Sequence, residues 1–150
     1  MVMTIDTLSL GDARRLVMAA EAKAAQIQVP SAIAVVDAGG NLLVFARMDG
    51  AWIGAIDIAI HKAFAARAFD MPTQDLARLA APGKPLFGVQ NTHDGRIVIL
   101  GGGAPVKLGD AVVGAIGSSG GTADQDQAVV DAALAAFEEE RSRHADYVPA

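Results

Sequence analysis

Asp57 and His61 stand four residues apart in the stretch IGAIDIAIHKAFAARAF, residues 53–69. On a helix, that spacing puts both side chains on one face. A carboxylate so placed can hold one imidazole nitrogen and leave the other directed outward, which suits a metal ligand or a general base. The bland reading is a surface pair with nothing bound. No second ligand follows at a fixed spacing, so a structural zinc site is not expected. His93 lies beside Asp94-Gly95, where a surface turn is the default, and His144 lies in a polar, acidic tail and is expected to be solvated. The chain has no cysteine, which removes disulfides, thiolate catalysis, cysteine-ligated zinc and iron–sulfur clusters together.

Two glycine-rich stretches add backbone chemistry. Gly101-Gly102-Gly103 can let a ligand approach the main chain, or can simply form a bend or bulge between strands. GSSGGT, residues 117–122, opens a helix whose free N–H groups can hold a carboxylate or phosphate. No Gly-Lys-Ser/Thr follows it and no G-x-G-x-x-G occurs, so a strand-to-helix turn is the better reading. Ser118 and Ser119 have none of the context of an activated nucleophile. Asp37 ends an apolar run at a turn, where it can cap.

The elements that must position these groups follow from periodicity. Ser9 with Asp12 opens a helix over 9–27, with apolar residues at helical spacing from Leu10 to Ile27 and Pro30 beyond it. SAIAVVD (31–37) and LLVFARM (42–48), joined by Ala38-Gly39-Gly40-Asn41, read as a β-hairpin. The second helix, 53–69, is apolar almost all round: Ala55, Ala59, Ala63 and Ala66 form one stripe, and Ile53, Ile56, Ile60 and Phe64 another. Two apolar faces need two covers, and in a chain of 150 residues the second is expected to be another subunit. Thr73 is expected to cap a short third helix through Leu79. Residues 80–95 read as loop. RIVIL (96–100), APVKL (104–108) and AVVGAIGSS (111–119) read as three strands, and Thr122 with Gln125 opens a last helix that frays from Ser142. The expected fold is α+β, a five-stranded, mostly antiparallel sheet flanked by helices, in a single domain spanning 1–150.

Charge narrows the partners. The net charge is −5, and the segment from Thr122 onward carries all of it, with seven acids against two bases. That acidity is expected on one solvated face of the last helix. No basic stripe is left to neutralise phosphates, and aromatics make up only 5%, so nucleic acid is not an expected partner. No apolar run reaches the length of a membrane span, and the opening MVMTIDTLSL lacks the pattern of a secretory signal, so neither a membrane nor export is expected. The composition fits a reducing cytoplasm.

Four segments in order carry a resemblance. AIAVVDAGGNLLVFARMDGA runs into an Ala-rich helix with Lys62-Ala63, and PTQDL, GGGAPV and AVVGAIGSSGGTADQD follow. Together, from about residue 8 to 138, they resemble the GlcG/HbpS-type family of heme-binding proteins and the C-terminal domain of PduO-type proteins. The resemblance implies a profilin-like fold, homo-oligomers (dimers or larger rings) and a heme or other tetrapyrrole ligand. Heme requires an apolar slot, an axial ligand and cations for its propionates. Here His61, His93 or Met48 can serve as ligand, with Arg47, Lys62, Arg67 and Arg96 as cations and Gly102 and Gly103 as points of close approach. His61 as the iron ligand is read from the residues, not from the resemblance. The reading favours a small-ligand binding protein over an enzyme. The alternative is a cofactor-free lyase or isomerase acting on a small apolar metabolite, with Asp57–His61 as the acid–base pair.

Overall fold

The computed structural model describes residues 1–145. Its elements run α1 (Leu10–Gln26), β1 (Ala32–Asp37), β2 (Leu42–Arg47), α2 (Gly54–Phe69), α3 (Thr73–Leu79), two single 3-10 turns (Val89–Asn91 and His93–Gly95), β3 (Gly103–Leu108), β4 (Ala111–Ser119) and α4 (Ala123–Ala145). The strands form one antiparallel sheet in the order β2-β1-β4-β3.

The α+β class therefore holds, but the sheet has four strands and not five. Arg96–Leu100 joins no ladder. Its apolar side chains serve another purpose: Ile97 is buried with Ala65 and Leu76, and Ile99 packs against the same cluster, filling the space between α2 and α3. A short apolar run reports burial and not the partner that provides it.

Alternation along the central strands sorts residues by size. Ile33 and Val35 of β1, with Val113 and Ile116 of β4, face α1 and α4. Ala32, Ala34 and Val36, with Ala115, face α2. The second face is paved with small side chains, and α2 meets it with Ala55, Ala59, Ala63 and Ala66. The helix consequently sits very close to the sheet. A Cβ at Gly117 would lie 2.6 Å from the Ala63 amide nitrogen, and one at Gly103 would lie 2.7 Å from the Lys62 carbonyl oxygen. The alanine stripe of α2 is thus its sheet face. The other stripe splits: Ile56 and Ile60 are half-buried on the flank, and Ile53 is 79% exposed.

Helix ends mostly follow the local signals. Ser9 Oγ accepts the Asp12 N–H, and Thr122 and Gln125 exchange side-chain bonds with each other's amides as a capping box. Thr73 differs from its expected role. Pro72 occupies the N-cap position, and the Thr73 hydroxyl instead accepts the Gly103 N–H at 2.9 Å, tying α3 to the start of β3. The last helix does not fray at Ser142 but continues to Ala145; the remainder of the expected tail lies outside the described residues. No described helix is long and apolar enough to cross a membrane.

Candidate functional site

The side chain that organises this molecule is Lys62. It leaves the sheet face of α2, passes over Gly117 and ends buried, with 2% of the residue exposed. Its ammonium donates to the Ser118 carbonyl at 2.8 Å and to Asp126 Oδ2 at 2.9 Å. Asp126 stands in the first turn of α4 and is itself 3% exposed. Its second oxygen, Oδ1, accepts the N–H groups of Gly120 and Gly121 at 3.0 and 2.9 Å. The helix-opening glycines therefore direct their donors to a protein carboxylate. Burial pulls the Lys62 ammonium below its ordinary pKa, while the hydrogen bond and charge of Asp126 pull it back up.

This pair explains the glycine triplet. Gly102 has φ +111°, and a Cβ there would lie 2.6 Å from Asp126 Cβ and 2.9 Å from Lys62 Nζ. Gly103 faces α2 at similarly short range. Neither residue lines an open ligand surface: Gly102 lets the chain close over the ion pair, and Gly103 lets β3 meet the α2 backbone. Gly101 alone of the three borders open space.

That space is a cleft of about 320 Å³ between the N-terminal halves of α2 and α4. Trp52, Ile58 and Leu100 form its apolar walls, and Lys62, Ser119 and Gly101 lie along its inner side. Trp52 is 77% exposed and stands at the mouth.

His61 does not line this cleft. It projects from the adjoining flank of α2, three residues on from Ile58, with its side chain 22% exposed. The expected pair does form: Nδ1 lies 3.1 Å from Asp57 Oδ2, and Nε2 has no partner among the described residues. One turn further along, Phe64 gathers two of the other candidates. The His93 ring packs edge-on against Phe64 and Phe69 at 6.1 Å, and the Arg96 guanidinium stacks over Phe64 at 4.2 Å. His61, His93 and Arg96 thus border one outward region of α2. Arg67 is engaged elsewhere, donating to the Ala38 carbonyl and to Asp70. Arg47 and Met48 border a separate depression beside Met18, Glu21 and Ala25 of α1. His144 is 80% exposed, as expected of a solvated residue. Among the described residues no three His, Asp or Glu side chains converge as a metal site.

Comparison with known proteins fits this architecture. Residues 8–135 match the family described as "Haem degrading protein HbpS-like". The chain belongs to that family. An uncharacterised 15.0 kDa protein from the dhaT-dhaS intergenic region of Citrobacter freundii is 44% identical over 135 residues, covering 90% of this chain and 95% of that protein. The crystal structure of Klebsiella pneumoniae protein ORFY is similar with a TM-score of 0.89 at 39% identity, covering 91% and 94% of the two chains. A crystal structure of a PduOC:heme complex is similar with a TM-score of 0.83 at 35% identity, covering 87% and 94%. Membership in the HbpS-like family agrees with the resemblance carried by the four sequence segments.

Asp126 is the residue that the sequence hid. Its charge counts among the acids of the last helix, expected on a solvated face, yet it is buried. The available signal was positional. The Thr122–Gln125 capping box fixes where α4 begins, which puts Asp126 in the first turn against the glycine pair. Nothing in the sequence joins it to Lys62, 64 residues earlier.

Proposed function

We propose that this HbpS-like chain binds heme or a closely related tetrapyrrole, and that it does so as a homo-oligomer. The observation that carries the reading is the heme-bound relative, which matches 87% of this chain with a TM-score of 0.83. The cleft alone is too small for the ligand. Its volume of about 320 Å³ lies at the lower end of the range for small-molecule pockets, and a flat macrocycle needs more. The residues fit heme better on the outward region of α2. His61 offers a free Nε2 with Asp57 behind it, the arrangement that orients a metal-bound imidazole. Arg96 supplies a cation for a propionate, and Ile53, at the N-cap of α2, leaves apolar surface uncovered.

One chain gives one wall of such a slot. A second copy of this chain would supply the other, which unites the ligand reading with the expected subunit contact. Bound there, the iron would take its axial ligand from His61. The protein's own part is to hold that imidazole through Asp57, to exclude water with the apolar side chains and to pair the propionates. Lys62, Arg67, Gly102 and Gly103 do not serve this region, because each is committed to an internal contact. We further propose a profilin-like classification for the fold, supported by an antiparallel sheet with helices on both faces.

Titration of the purified protein with hemin tests the ligand. A Soret shift that saturates at one equivalent and is lost in His61→Ala supports the reading; no shift in the wild type overturns it. The lyase or isomerase reading gains no support: the Asp57–His61 pair lies off the cleft, and the Asp57 side chain is 80% exposed.

A further inference from the structure

The inner end of the cleft carries hydrogen-bonding groups that neither the fold nor the tetrapyrrole reading uses. An ammonium has three N–H donors, and Lys62 commits two of them, to Ser118 and Asp126. The Ser119 hydroxyl also borders the cleft; the residue is only 8% exposed, and its oxygen has no protein partner among the described residues. Both side chains are more than nine-tenths buried, and the space they share is walled by Trp52, Ile58 and Leu100. Asp126 Oδ1 is already filled by Gly120 and Gly121, and Oδ2 already accepts from Lys62.

We propose that the cleft is a binding site for a small neutral carbonyl compound with a short aliphatic body, its oxygen accepting from Lys62 Nζ and Ser119 Oγ. Surplus donors call for an acceptor. Charge balance calls for a neutral one: Lys62 and Asp126 cancel, and Asp124 stands at the positive end of α4. A carboxylate would add an uncompensated charge beside Asp126 at the inner end of an apolar-walled cleft. The volume, too small for a macrocycle, suits a molecule of a few carbons. This site is distinct from the His61 region, and its test needs no heme.

Trp52 is the sole tryptophan and stands at the mouth, so 5-fluorotryptophan there gives one fluorine resonance that reports occupancy. The probe is 2-pentanone, with pentanoate at the same pH as the charged comparison. The expected result is a saturable shift with 2-pentanone, weakened about fivefold in Ser119→Ala. Filling the cleft by Ile58→Phe should abolish it, and pentanoate should bind at least about tenfold more weakly. A shift that never saturates, or one unchanged in both variants, overturns the site. Equal or tighter binding of pentanoate overturns the neutral-carbonyl assignment. Both variants leave the Lys62–Asp126 pair intact, and circular dichroism checks their folding.

Discussion

Replacing Asp126 with asparagine removes one charge and almost no volume from the most buried ion pair among the described residues. The amide oxygen of the new side chain can still accept from Gly120 and Gly121, so the glycine turn keeps its partner. The other end of the amide would turn an N–H₂ toward the Lys62 ammonium, where the wild type has an acceptor at 2.9 Å. Lys62, 2% exposed, then holds an uncompensated charge with only the Ser118 carbonyl to meet it. Breaking a buried pair in this way costs about 3–5 kcal/mol. At about 2–4 °C per kcal/mol for a chain of this size, the melting temperature should fall by roughly 6–20 °C. Urea denaturation and thermal melts, run at one protomer concentration so that any self-association is held constant, measure the loss. The double variant Lys62→Met/Asp126→Asn should recover part of it, since no buried charge is then left unpaired and the asparagine oxygen still accepts from Gly120 and Gly121. A loss below about 1 kcal/mol in Asp126→Asn would refute the claim that the pair fastens α2 to α4.

Other substitutions probe the same region from different sides. Gly117→Ala should destabilise the protein by several kcal/mol or prevent folding, because the added methyl meets α2 backbone 2.6 Å away at the Ala63 nitrogen; a soluble variant with an unchanged melt would contradict the close packing. Ser118→Ala should leave stability unchanged or slightly raised in urea melts, since Ser118 Oγ is buried without a partner among the described residues. Thr122→Ala should cost about 0.5–2 kcal/mol through loss of the α4 cap, read by the same melts. The lowered pKa of Lys62 has a pH signature. Between its folded value and 10.5, the unfolded chain binds a proton that the folded chain does not, so stability contributed by this group rises with pH across that window and is flat below it. The difference in stability between wild type and Lys62→Met, followed against pH, should show that slope; its absence would place the ammonium in a solvated setting.

Much of the frame was legible because local chemistry dictated it. The hairpin over 31–48 follows from two apolar runs around Gly39-Gly40-Asn41, and its first strand is buried on both faces, as a continuous apolar run requires. Asp37 Oδ1 accepts from Gly39 and Asn41, the capping role its position implied. Asp57–His61 was legible because four residues on a helix make a geometric statement. The failures were tertiary. Arg96–Leu100 has the apolar content of a strand, but its burial against α3 leaves it without a ladder. Lys62 reads as a cation for a propionate, and Asp126 as one acid among many, until the fold brings them together over Gly102. The glycine triplet shows the same gap: sequence alone allowed either a ligand's approach or a bend or bulge between strands, and the neighbours of Gly102 and Gly103 show a close fit against Lys62 and Asp126.

We propose a tetrapyrrole on the outward face of α2, held by His61, with a second copy of the chain completing the slot. A crystal structure of the protein grown with hemin tests it most directly. The account predicts electron density for the macrocycle against α2, iron bonded to His61 Nε2 and a neighbouring copy covering the opposite face in a contact that persists in solution by light scattering. A macrocycle ligated by some other residue, or bound with its far face open to solvent on a monomer, would contradict it.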